Sequence, residues 1–182
     1  EEYIRRQYPG FKLISSTTKR ITGLDGLLEE LNKDYFLVVL DYDLNHNEEV
    51  LSAIGKQADK VEILVNEICY PGCPKRSEHY RQQSQMQLEY DIDAAFPCPN
   101  KTRERKFEEC KERPSFISRE QIREYADRGF VNFKIVGRGM PMDFVKESYL
   151  YYLVKDDSRA FIRNKMESTL NQFAQAMRKR KA

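Results

Sequence analysis

The chain has 182 residues, with 31 Lys and Arg against 29 Asp and Glu, for a formal net charge of +2. Such a balance sets up no global field toward nucleic acid, and the length suffices to bury a core. No stretch reaches the roughly 20 apolar residues of a membrane span. The start is too charged for a signal peptide, and four cysteines are too few for a disulfide scaffold, so the expectation is a cytoplasmic protein.

Glu1–Tyr8 (EEYIRRQY) reads as the end of an amphipathic helix with no start signal and no strand before it. Phe11–Ser15 is a short apolar run that predicts the first strand. Leucines at 24, 27, 28 and 31 then lie on one face of a helix over Leu24–Asn32. Tyr35–Asp41 (YFLVVLD) is continuously apolar, as a strand covered on both faces should be. Asn47 is the predicted cap of a helix to about Lys56, with Glu48 and Glu49 in its first turn.

Lys60–Asn66 (KVEILVN) predicts the third strand, and a polar helix follows over Arg76–Tyr90. Residues 91–114 read as an irregular, cysteine-containing insertion. Ser118 with Gln121 forms a capping box, Gly129 ends that helix, and Val131–Gly137 (VNFKIVG) predicts the fourth strand. Two helices, Pro141–Lys155 and Asp157–Arg180, close the chain. Their helically spaced apolar residues Phe144, Tyr149, Leu150, Leu153, Phe161, Leu170, Phe173 and Met177 are expected to be core. Arg178, Lys179, Arg180 and Lys181 read either as a solvated helix end or as an anion or nucleic-acid contact.

The fold class is therefore α/β, with four parallel β–α units. A doubly wound sheet or half of a (β/α)8 barrel would suit. Four units are half of eight, and a full barrel needs about 250 residues, so the C-terminal half of a TIM barrel is favoured. The expectation is one partial barrel domain over residues 1–182. A partner or a second copy would supply the missing N-terminal half.

In parallel α/β folds, chemistry gathers at the C-terminal ends of strands. Those ends carry Ser15–Lys19, then Asp41, Tyr42, Asp43, Asn45 and His46, then Asn66, Glu67 and Cys69, then Arg138, with Lys134 inside the last strand. His46, in a polar turn, reads as turn and cap chemistry. The cysteines follow the pattern C-x3-C-x24-C-x11-C at Cys69, Cys73, Cys98 and Cys110. Two short pairs would mark structural zinc, and only the first pair is short. An iron–sulfur cluster asks only that four thiolates converge. Iron–sulfur, zinc and unligated thiols all stay open on spacing. Arg76, His79 and Tyr80 would share one face of the helix that follows.

A strand ending in V-N-E, then C-x3-C-P-x-R-x-x-H, then F-K-I-x-G-R one unit later resembles the collagenase-like peptidase family (peptidase family U, number thirty-two). The match covers Val65–His79 and Phe133–Arg138. The resemblance implies a barrel and a 4Fe–4S cluster on Cys69, Cys73, Cys98 and Cys110, with zinc as the alternative. It implies oxygen-independent hydroxylation, or a related redox modification, of an RNA base or small aromatic substrate. The alternatives are a metal-dependent peptidase and a non-catalytic, zinc-stabilised binding module. His79 and Glu67 would be catalytic; Asn66, Arg76, Lys134 and Arg138 would bind an anionic substrate. Where the family often has Glu before the last Gly-Arg, this chain has Val136.

Overall fold

The computed structural model describes residues 1–90, 96–98 and 105–181. The remainder of the 91–114 insertion, including Pro99, lies outside the described residues, as do the side chains beyond Arg178.

Four short strands, β1 (Ile14–Ser15), β2 (Leu37–Val39), β3 (Val61–Leu64) and β4 (Asn132–Lys134), form one sheet in the order β1-β2-β3-β4. Every pairing is parallel, with Ile14 against Leu37, Val38 against Val61 and Ile63 against Phe133. The strands are shorter than the apolar runs suggested, because a ladder extends only as far as both neighbours stay in register. Phe11 and Phe36, expected inside strands, are exposed.

Eight α-helices accompany the sheet among the described residues: α1 (Glu2–Gln7), α2 (Leu24–Leu31), α3 (Glu48–Ile54), α4 (Arg76–Glu89), α5 (Phe107–Lys111), α6 (Arg119–Asp127), α7 (Met142–Leu153) and α8 (Asp156–Lys181). Asn47 caps α3 by accepting from the Val50 amide, and Ser118 and Gln121 close both bonds of the capping box on α6. Gly129 follows α6 at φ +94, a left-handed backbone that glycine adopts without strain. Helix α5 had no periodic signal in the sequence. Helix α1 buries nothing and rests on an Arg5–Asp34 ion pair of 2.9 Å.

Alternate strand residues point to opposite faces. Val38, Val61, Ile63 and Phe133 share one core with Leu27 and Leu31 of α2, Val50, Leu51 and Ile54 of α3, and Tyr125 of α6. The three crossover helices thus cover one face, and sequential strand order goes with that. A doubly wound sheet would reverse its order and cover both faces, so that alternative is not the arrangement seen. The other face carries Ile14, which is 50% exposed, and a Lys134–Glu62 ion pair of 2.9 Å. No helix among the described residues is long and apolar enough to cross a membrane.

A second core joins Phe107 and Cys110 of α5 to Phe116 and to Phe144 of α7. Phe107 packs edge-on against Phe116 and Phe144, with ring centroids 6.1 and 5.9 Å apart. In the closing helices only part of the expected core is core. Phe144 and Leu150 are buried, while Tyr149, Leu153, Phe161, Phe173 and Met177 are exposed. Helical spacing put these residues on stripes, but among the described residues α7 lies beside α8 only as far as about Leu170.

At the open end of α2, Glu30 is buried and accepts hydrogen bonds from Lys19, Ser15 and Lys33. Burial pushes its carboxyl up, but these bonds outweigh it and hold the pKa at about 2 instead of 4.5. A carboxylate lowered by folding stabilises fully above its unfolded value and loses that contribution as pH falls. Glu30→Gln should therefore flatten the fall in urea-unfolding stability between pH 4.5 and about 2; an unchanged acid limb would contradict this. Phe144→Ala should cost about 3–5 kcal/mol, and Phe161→Ala less than about 0.5, both read by denaturant unfolding.

Candidate functional site

The segments leaving β3 and β4 stay side by side after the ladder ends. Asn66 is fully buried. Its side-chain carbonyl accepts from the Val136 amide at 2.6 Å, and its NH2 donates to the Val136 carbonyl and the Ser148 hydroxyl at 2.9 and 3.2 Å. The side chain imitates one more rung of backbone pairing. Its amide is thus committed to structure and does not line the cleft described below.

Glu67, next in the chain, is 7% exposed. One carboxylate oxygen accepts from the Cys69 amide at 2.9 Å and the other from Arg76 at 3.2 Å. Arg76 opens α4, and its guanidinium lies over the Tyr80 ring, 4.3 Å from the centroid, and over the Tyr42 ring, 5.3 Å from the centroid. Burial opposes the Arg76 charge, but Glu67 and then Tyr80 outweigh it and raise its pKa. A buried carboxylate and a buried guanidinium held this way are each other's counter-charge.

The cysteine loop is tied to the rim of β2. The Gly72 amide donates to Asp43 at 3.0 Å, and Arg20 bridges Asp43 and Asp41 at 2.6 Å each. Arg20, after β1, thus connects three strand ends through two carboxylates. His46 stands apart: its ring contacts the Phe116 carbonyl at 2.9 Å and the Tyr125 hydroxyl at 3.1 Å. Both partners are distant in sequence, so the ring ties the turn after β2 to the segment around α6, where the sequence suggested local turn and cap chemistry.

Beyond the ends of β3 and β4 opens a cleft of about 200 Å³. Glu67, Cys69, Arg76, His79, Cys98 and Arg138, all singled out in the sequence, line it. Arg105, Glu109 and Arg113 also line it, and sequence reasoning missed them because they lie around α5, in a segment without periodicity. Arg113 stacks on the Tyr70 ring at 4.0 Å. Among the described residues, the buried atoms Arg113 Nε and Glu109 Oε2 have no hydrogen-bond partner. Lys134 is not brought to the cleft; strand alternation turns it to the open sheet face, onto Glu62.

His79 stacks on Phe96, with ring centroids 4.5 Å apart and planes 7° from parallel. Burial lowers its pKa below 6.5, and the charges of Arg76 and Arg105 lower it further. At neutral pH the ring is uncharged and able to accept a proton.

The four thiols are all free. Cys69 and Cys98 line the cleft, while the buried Cys110 thiol donates to the Glu67 carbonyl at 3.8 Å. Burial raises the Cys69 pKa, with Arg76 offsetting part of the rise. Burial, then the Glu67 charge, pushes Cys110 up to about 12. Among the described residues, no three His, Cys, Asp or Glu side chains form a group that could hold a metal ion. Four thiols are a donor set whose chemistry suits a cluster or zinc.

The chain is similar to a protein of Methanocaldococcus jannaschii named as an uncharacterized protease, at 28% identity over 150 residues. The match covers 79% of this chain and 44% of that protein, so the chain spans less than half of the relative's length. No family model matches the chain, and no solved structure matches it.

Burial and raised pKa values should make the thiols react in two classes. Under iodoacetamide in metal-free protein, Cys73 and Cys98 should be alkylated first, with Cys69 and Cys110 protected until unfolding. Peptide mass mapping checks this; early labelling of Cys110 would contradict it.

Proposed function

We propose that this chain carries the substrate cleft of an enzyme related to the collagenase-like peptidases, acting on a substrate anchored by a carboxylate or phosphate. The observation that carries the reading is the cleft beyond β3 and β4, where four arginines meet a neutral His79 and two cysteines. Arg76 is already matched by Glu67, so Arg138 and Arg105, both exposed, are the ones to take the anion. A guanidinium offers paired donors to such a group. Glu67 holds Arg76 and the Cys69 amide in place, and His79 takes a proton from the bound substrate at its imidazole nitrogen.

The chemistry we assign is oxygen-independent hydroxylation, or a related redox modification, of an RNA base or small aromatic substrate. It would use a 4Fe–4S cluster on Cys69, Cys73, Cys98 and Cys110. Three of these thiols touch the Glu67–Cys69 loop or its cleft: Cys69 belongs to it, Cys98 lines the cleft and Cys110 bonds to Glu67. Loading would require Cys110 to leave the Glu67 carbonyl. The sheet would serve as the C-terminal half of a TIM barrel, because sequential parallel order with helices on one face leaves β1 and β4 as unpaired edges that another half would close.

A hydrolytic reading is favoured by one observation, the name of the relative. There His79 would deprotonate water while Arg138 and Arg105 hold a peptide carboxylate, with zinc in place of the cluster.

Anaerobic purification separates the two. About four irons with labile sulfide per chain supports the redox reading, and Cys98→Ala should then lose most of the iron. Stoichiometric zinc without sulfide overturns it in favour of hydrolysis. In either case Arg138→Ala should weaken binding of an anionic ligand by about 10- to 100-fold, measured by calorimetry with a substrate-sized phosphate or carboxylate. An unchanged affinity would remove Arg138 from the site.

A further inference from the structure

Among the described residues, two carboxylates line the cleft beyond β3 and β4, and one of them is answered. Glu67 is matched by Arg76 at 3.2 Å. Glu109 differs: its Oε2 is buried without a hydrogen-bond partner among the described residues. Arg76 Nε and Arg113 Nε, on two more side chains that line the cleft, are buried and unpartnered in the same sense. Such atoms are costly to keep, and each calls for an explanation.

The shortness of α5 explains why Glu109 stays unmatched. Arginines stand four residues to either side of it, Arg105 and Arg113, the spacing at which a helix pairs opposite charges. But α5 runs only over Phe107–Lys111, so both arginines lie beyond its ends. Arg105 donates to the Gly139 carbonyl at 3.4 Å, and Arg113 lies on the Tyr70 ring at 4.0 Å. Phe107 and Cys110 turn into the aromatic core with Phe144, which fixes the rotation of the helix. Glu108, the neighbouring acid, pairs with Lys111 at the surface. The carboxylate of α5 that lines the cleft is thus the one with no ion pair among the described residues.

A carboxylate in a cleft for anions repels them unless it makes a contact of its own. Arg105, Arg113 and Arg138 outnumber Glu109, so the cleft still attracts an anion, but Glu109 cancels part of that attraction. A ligand that is only an anion would bind better without it. We propose that Glu109 is a specificity-determining residue, which accepts from an N–H or O–H group that the substrate carries beside its carboxylate or phosphate. This role rests on the anion-binding cleft proposed above. A carboxylate accepting from a neutral donor makes a charge-assisted bond, stronger than one between neutral groups. Carboxylates single out the amino edge of a base in the same way. The cleft, at about 200 Å³, is smaller than pockets for drug-sized ligands, so anion and donor belong on one small body such as a single ring.

Calorimetry on the anaerobically purified chain, with whatever metal it holds, should compare phenyl phosphate with aminophenyl and hydroxyphenyl phosphates, the donor ortho, meta or para. At least one donor-bearing ester should bind about 10-fold more tightly than phenyl phosphate. Glu109→Gln should cut that preference to less than about 3-fold. It should bind phenyl phosphate at least as tightly as the parent chain does, because a like charge has gone. A merely structural role would weaken every ester alike. The urea midpoint of Glu109→Gln should be unchanged or higher, since no ion pair is broken. Arg138→Ala should weaken all the esters in the same proportion. If phenyl phosphate binds and no donor-bearing ester binds more tightly, or if Glu109→Gln keeps the preference, the proposal is overturned while the anion-binding cleft stands. If no ester binds at about 1 mM, the anion-binding cleft is overturned and the role of Glu109 with it.

Discussion

The side chain of Asn66 holds together what the backbone ladder no longer does. The last register pair is Leu64 with Lys134; the Val65 amide still donates to the Lys134 carbonyl at 3.1 Å, and the Asn66 amide then joins the two segments at Val136. Everything that lines the cleft from β3 and β4 leaves from that clamp: Glu67 and Cys69 on one side, Val136 and Arg138 on the other. An apolar residue at this position would leave the Val136 amide and carbonyl without partners in a buried place. The cleft is as well defined as this one amide.

Charge inside the cleft is organised around the next residue. Glu67 neutralises Arg76, fixes the Cys69 amide and, through its carbonyl, accepts from Cys110. Among the described lining residues the net charge is nonetheless positive, since Arg76, Arg105, Arg113 and Arg138 stand against the carboxylates Glu67 and Glu109. That field and burial act on His79 in the same direction, whereas on Cys69 they oppose one another and burial wins. Imidazole is therefore kept in its basic form while the thiol beside it is kept protonated.

Much of the local structure was legible because its chemistry is local. The Asn47 cap and the Ser118–Gln121 box involve bonds over three residues, and both are present. The parallel strand–helix rhythm was also legible, since each apolar run had its own punctuation. What failed depended on distant neighbours. Phe161, Phe173 and Met177 have helical spacing, but spacing fixes only which residues share a face, not whether anything lies against it. Lys134 sits at a strand end, yet period-two alternation with Phe133 already placed it away from the helical core. Arg105, Glu109 and Arg113 reach the cleft from a segment whose position no pattern announces.

The chain of bonds from Arg20 through Asp43 to the Gly72 amide crosses from the end of β1 to the cysteine loop without passing through the sheet. A loop with Gly72 at φ +64 would otherwise sample many shapes. Anchored this way, its ordering entropy is lost when the chain folds and not when a ligand arrives. A ligand meeting the loop finds donors already aimed, so the contacts it makes are not offset by freezing the loop that supplies them.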